Sequence, residues 1–309
     1  MTIRFIRPVS SAARWAWRLS MLAFLLLVGA WLGARFGPLQ LPSFVLAVLV
    51  SGALAALSVL FSLWGLWRLW QIGAKGGLAS SRALVLAILP LAVLMLGAER
   101  YRSLPPLFEI VSDPSDPPAW IVPPPHRRSW LARPGIDAAT QADLQAGAYP
   151  TLTVRRYDGA LDRVYQAVRK VAADQRFTVT STRGAAYARP DFQPPAAAGT
   201  ATGGLAQGPA VGPAMPPVPV PMPRPEPQPE DLRPDNEPPG IIRIQATARN
   251  GILGFPWDIL IRLREEEETV LVDIRVASRD TPHDLGVSAS IANAYLTALD
   301  GELLGIASR

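Results

Sequence analysis

The chain contains no cysteine, which removes a disulfide framework, a thiolate nucleophile and a cysteine-type zinc site from consideration. It has only two histidines, His126 and His283, too far apart in sequence to form a metal-ligand spacing. A second absence is regional: from Met1 to Ala98 there is no Asp or Glu, while eight Lys or Arg residues occur there. The remaining 211 residues therefore hold 22 basic against 25 acidic side chains, and the formal charge of +5 belongs wholly to the N-terminal third. A basic chain can signal nucleic-acid binding. Here the excess flanks apolar runs, so it reads as membrane topology and no nucleic-acid partner is expected.

Three uncharged runs occupy that acid-free region: residues 19–34, extended by the aromatic "RWAW" before them, 43–67 and 83–98. A helix needs about 20 apolar residues to cross a bilayer. The runs predict spans at about 15–35, 43–67 and 83–98, within a membrane domain 1–102. The third carries Pro90, which spanning helices tolerate; a re-entrant segment is the alternative. Trp64, Trp67 and Trp70 close the second run, as indoles do at an interface.

Arg4, Arg7, Arg14 and Arg18 precede the first run, and Arg68, Lys75 and Arg82 lie between the second and third. The positive-inside rule puts both stretches in the cytoplasm and residues 103–309 on the far side. The predicted setting is the bacterial inner membrane, with a periplasmic domain. No run carries an internal ionisable residue of the kind that ion pathways place at membrane depth. The spans therefore read as an anchor.

In 103–309, "TLTVRRY" (151–157) alternates as a strand, and "ALDRVYQAVRKVAADQ" (160–175) places Leu161, Val164, Tyr165, Val168, Val171 and Ala172 on one helical face. "FTVTSTRGAAYA" reads as a second strand. Residues 190–239 then hold sixteen of the 32 prolines, and a stretch so poor in apolar periodicity predicts a disordered, proline-rich insertion. "GIIRIQATAR", "WDILIRLREEE" and "TVLVDIRVASR" follow as three strands, with Glu265–Glu268 at the last turn. The closing helix buries Ile291, Ala292, Tyr295, Leu299 and Leu303, capped by Asp284. The fold class is thus a three-span α-helical anchor plus an α+β domain, an antiparallel sheet with two packing helices.

Several ordered motifs, "DPSDPPAW", "YPTL", "GFPWDILIRL" and "VDIRVASRDTPHDLGVSASIANAYLTAL", together resemble the bacterial domain-of-unknown-function family 1499. The resemblance covers roughly 107–189 and 240–300. It implies that "VSDPSDPPAW" (111–120), whose Asp113 and Asp116 first suggest a metal loop, is part of the domain. It supplies no activity. The chain departs from the family pattern in its long insertion and in Ser288, where Asn is frequent.

Two places are candidate sites. The corner Ser278, Arg279, Asp280 and Asp284 has residue types suited to end a strand, cap a helix or present charge to a ligand. Phe255 and Trp257 are candidates to line a cleft. The expected function is non-catalytic: binding an apolar ligand or an envelope protein, with the lipid bilayer as constant partner and no cofactor or metal implied. The alternatives are an envelope hydrolase built on Ser278 and His283, although no G-x-S-x-G elbow is present, and a purely structural membrane protein.

Overall fold

The computed structural model describes residues 11–72, 76–125, 130–131, 135–188, 237–249, 251–279 and 281–305. The three apolar runs form helices α1 (Ser11–Phe36), α2 (Leu41–Ile72) and α3 (Gly77–Ser103), each continuing past its uncharged run into flanking Arg residues. At about 1.5 Å per residue each exceeds a bilayer core of about 30 Å. Pro90 sits inside α3 without ending it.

Small side chains build the contacts among these helices. The buried positions of α1 are Ala13, Ala16, Ser20, Ala23, Leu27, Ala30 and Ala34, a strict alternation of three- and four-residue steps. Ser51, Ala55, Ser58 and Ser62 repeat it on α2, as do Ser80, Ala83, Ala87 and Pro90 on α3. Lipid gives no hydrophobic drive for helix association, so close approach and interhelical hydrogen bonds must hold the bundle. Ser51 Oγ donates to the Ala23 carbonyl at 2.7 Å and Ser58 Oγ to the Ala16 carbonyl at 2.8 Å.

The domain is a six-stranded antiparallel sheet of β1 (Glu109–Val111), β2 (Arg155–Asp158), β3 (Thr178–Arg183), β4 (Ile241–Arg249), β5 (Pro256–Glu266) and β6 (Thr269–Ser278). The order is β1-β6-β5-β4-β3, with β2 also on β6. The outer edge of β6 is thus shared: β1 covers Arg275–Ala277 and β2 covers Thr269–Val272. This explains two departures from expectation. β1 lies in a segment read as irregular, because three residues cannot display an alternation. β2 begins at Arg155 and not Thr151, because Ser112 already bonds Ile274 next along that edge.

Helices α5 (Leu161–Asp174) and α6 (Val287–Leu303) cover one face of the sheet, and α4 (Ala138–Ala148) lies beside β1. The core gathers Ile242, Ile244, Ile259, Ile261, Val272 and Ile274 from the strands with Val164, Val168, Tyr295 and Leu299 from the helices. Tyr295 is the largest fully buried side chain; it stacks on Phe177 at 5.5 Å and donates to the Val168 carbonyl. Tyr165 is only half-buried, with Arg169 over its ring, and Ala167 takes the buried place on α5.

Most of the expected insertion lies outside the described residues, but its last residues do not. Glu237 is buried and pairs with Arg243, and the Tyr187 hydroxyl donates to the Glu237 carbonyl. Glu237 and Pro238, inside the expected 190–239 insertion, are thus placed on the domain, and Glu237 lies beside Tyr187. Loop closure costs only logarithmically in length. Replacing 190–236 by a short Gly-Ser linker should change unfolding free energy by less than about 1 kcal/mol, measured by denaturant titration. A larger loss would show that the segment packs on the domain.

Candidate functional site

The corner after β6 is wrapped around the connector that joins α3 to the domain. The Ser278 amide donates to the Phe108 carbonyl at 2.9 Å and the Asp284 amide to the Leu107 carbonyl at 3.0 Å. His283 Nδ1 accepts from the Leu285 amide at 3.0 Å, so the proton sits on Nε2, which is 3.1 Å from the Leu104 carbonyl. The same ring stacks on Tyr101 of α3 at 4.9 Å. Ser278 Oγ is 2.6 Å from Thr281 Oγ1. Both histidine nitrogens are thus engaged by backbone groups, and the arrangement does not present His283 as a base to Ser278.

Asp284 caps α6 as its residue type suggests, although the formal N-cap position is Gly286. Its two carboxylate oxygens accept from the Gly286 amide at 2.9 Å and the Ser288 amide at 2.6 Å. Leu285 and Gly286 both hold positive φ, 55° and 78°, a turn stabilised by those same bonds. Arg279 makes a bidentate pair with Asp258 on β5, both contacts at 2.7 Å. Asp280 lies outside the described residues, as does His126.

Replacing Asp284 by Ala should remove about 1 kcal/mol through the lost cap. Arg279→Ala should cost more, about 2 kcal/mol, because the buried Asp258 carboxylate would lose its bidentate partner. Unchanged melting of both variants would show that these groups serve something other than the corner.

Phe255 and Trp257 have different surroundings. Trp257 is buried in the core, and among the described residues its Nε1 has no hydrogen-bond partner. Phe255 faces the anchor, meeting Phe44 of α2 edge-on at 5.6 Å. It stands in the wall of a pocket of about 200 Å³ between the α1–α2 loop and the β4–β5 turn, with Pro38, Leu39, Gln40, Arg249 and Arg279 among the other walls.

The face of the sheet away from the helices carries a feature that the sequence reading passed over. Alternation puts Arg243 and Gln245 of β4, Asp258, Arg262 and Arg264 of β5, and Asp273 and Arg275 of β6 on one side. The register sets Arg243, Arg262 and Asp273 in one row. Asp273, fully buried, accepts through Oδ2 from Arg262 Nε at 2.8 Å. An extended strap, residues 112–125, crosses this face and contains "SDPSDPPAW". Its Asp116 side chain accepts from Arg262 and Arg264, and Arg264 reaches Asp113 at 3.4 Å. Its backbone carbonyls at Asp116, Pro118 and Ala119 accept from Arg262, Arg275 and Arg243. Gln245 exchanges two hydrogen bonds with the Val122 backbone, as a neighbouring strand would. Arg275 covers the Trp120 ring at 5.0 Å.

Asp113 and Asp116 therefore meet guanidinium groups, and this chemistry suits ion pairing rather than a cation. Burial alone would raise the Asp113 pKa. Hydrogen bonds from the Ser115 hydroxyl and from the Asp116 and Ser115 amides, with the Arg264 charge, outweigh it and hold the carboxyl below its usual value.

The strands that build this charged row and the corner beside it coincide with a family match. Residues 226–299 match DUF1499, a protein family of unknown function. The DUF1499 stretch takes in β4, β5, β6 and most of α6, and so the Arg262–Asp273 pair, the Arg279–Asp258 pair and the Asp284 cap. The strap lies before it, within the earlier segment on which the sequence resemblance also rests. No curated protein and no solved structure matches the chain.

Proposed function

We propose that this chain is a non-catalytic ligand-binding protein of the bacterial inner membrane, with the domain after α3 in the periplasm. The ligand is apolar, a lipid or lipid-like molecule, held where the domain meets its anchor. The observation that carries this reading is the pocket beside Phe255: apolar walls from Leu39, Leu41 and Pro256, with Gln40 and Arg249 as polar contacts, at the end of a membrane-spanning bundle. Its volume of about 200 Å³ is below the roughly 300–1,000 Å³ of complete small-molecule sites. It suits one end of a ligand whose remainder lies along the helices. Basic residues before α1 and between α2 and α3 support the orientation. The corner supports a non-catalytic reading, since His283 bonds the α3 connector, Arg279 pairs with Asp258 and the Asp284 carboxylate caps α6.

Native mass spectrometry of the full chain, released from membranes in mild detergent, tests the proposal. Bound lipid is expected in the wild type, with its share reduced severalfold by Phe255→Ala combined with Arg249→Glu. Equal lipid retention by the double variant would overturn the assignment of the pocket. For orientation, an alkaline phosphatase fused after residue 305 should be active, and a fluorescent protein fused there should be dark.

A further inference from the structure

The turn between β4 and β5 reaches the first membrane helix. Trp31 of α1 donates its indole N–H to the Ile252 carbonyl at 3.1 Å. Gly254, at φ 78°, approaches the end of α1 so closely that a Cβ there would lie 3.4 Å from the Ala34 carbonyl oxygen. Trp31 is no marginal residue of the span: it falls within the uncharged run 19–34, five residues before the end of α1 at Phe36. Whatever touches its indole stands at the depth of that indole. Indoles are enriched at the boundary of headgroups and acyl chains.

At that depth the turn presents apolar surface. Ile252 is 72% exposed at its bond to Trp31, and the Trp31 ring in turn meets the 77%-exposed Phe36 edge-on at 6.4 Å. In water an exposed isoleucine next to two exposed aromatic rings would form an apolar patch; at the membrane boundary the same atoms are in their preferred solvent.

We propose that the β4–β5 turn, around Ile252, dips into the interfacial layer of the bilayer that the chain's own helices span, giving the domain a second membrane contact besides its covalent tether. The partner is the lipid surface itself. The turn and α3 then hold the domain at two points, which fixes the sheet's inclination and keeps the β5–β6 turn, at the opposite end of those strands, far from the membrane. Eleven residues of β5 separate the two turns by about 3.4 Å each.

Because the chain has no cysteine, single-cysteine variants can be labelled without further changes. Ile252→Cys, carrying a polarity-sensitive fluorophore, is compared with Glu268→Cys at the far turn, both in the full chain in phosphatidylcholine vesicles. The label at 252 should be quenched severalfold more by lipids bearing a doxyl group near the headgroup, and severalfold less by aqueous iodide, than the label at 268. Gly251→Cys is a second probe that folds independently of the isoleucine, since a Cβ there meets no atom within 4 Å. Iodide quenching at both 251 and 252 equal to that at 268 would overturn the proposal. So would protection from iodide without lipid quenching, which would mean that protein covers the turn.

Discussion

Asp273→Ala should destabilise the domain by about 3 kcal/mol at neutral pH, because removing one member of a buried ion pair strands the other. Arg262 loses the acceptor of its Nε and one of those of its Nη2, at 2.8 and 2.6 Å, and keeps, among the described residues, the strap's Asp116 and a distant Asp113. The pair itself is no large source of stability. Asp273 Oδ1 has no hydrogen-bond partner among the described residues. Burial pushes the Asp273 carboxyl above its usual pKa although Arg262 and Arg264 pull the other way. A raised folded pKa means that this group's contribution is complete below the unfolded value and is lost as pH rises through the folded one. That part of the cost of Asp273→Ala should therefore fall as pH rises through the carboxylate range, and the loss that remains at neutral pH comes from the stranded Arg262. Asp113, whose pKa is lowered, contributes in the opposite sense, with stability lost as pH falls.

The companion variant Arg262→Met with Asp273→Leu replaces both charges by apolar groups of similar reach. Such replacements are often neutral or stabilising, so at least half of the single-variant loss should return. Denaturant titrations of both variants across the carboxylate range measure this. A double variant as unstable as Asp273→Ala would show that the row's role is to grip the strap, since Arg262 also donates to the Asp116 carbonyl.

Why this row escaped a reading of the sequence is instructive. "WDILIRLREEE" announces a strand because Trp257, Ile259, Ile261 and Leu263 alternate, and the same alternation gathers Asp258, Arg262 and Arg264 on the opposite side. Charges opposite a core face ordinarily mean solvent, as on many antiparallel sheets. With the turn placed at Glu267 and Glu268, Arg262 falls opposite Asp273, so that pair was within reach of local pattern. The burial was not. It comes from a strap some 150 residues earlier in the chain, whose prolines show that it is extended but not where it lies. The spans, β4 to β6, α5, α6 and the Asp284 cap were legible because each is a local periodicity or a local hydrogen bond. The Arg279–Asp258 pair follows from the same hairpin register, in which Asp258 stands opposite Ala277. The engagement of His283 with Leu104 and the seating of Phe255 on Phe44, by contrast, depend on how α3 and the start of α2 meet the sheet. No short-range pattern encodes that meeting.

Gly184→Ala should be the other strongly damaging change, costing about 3 kcal/mol. Gly184 follows β3 with φ at 73°, a backbone region that costs a non-glycine residue about 1–3 kcal/mol. Conformation is half of the case. A Cβ at this position would fall well inside contact distance of the Ile241 carbonyl oxygen, where β4 begins, with further backbone atoms of Ile241 and Ile242 behind it. That obstacle is backbone in a paired strand, Arg183 standing opposite Arg243 and Ile241 opposite Arg264, so it cannot rotate away as a side chain would. The glycine lets the chain leave β3, make the 3-10 turn at Ala185–Ala188 and bring the Tyr187 hydroxyl to Glu237. Gly159→Ala separates the two causes. Gly159 also has positive φ, 130°, but a Cβ there meets nothing within 4 Å. If conformation alone matters, Gly159→Ala, whose φ lies farther from the left-handed helical basin, should lose at least as much stability as Gly184→Ala. If the closeness of β4 matters, Gly184→Ala should lose at least 1 kcal/mol more by denaturant titration, and its excess loss should appear as faster amide exchange at Ile242 and Ile244. Equal losses, with unchanged exchange in β4, would mean that the strand shifts to admit the methyl group at no cost.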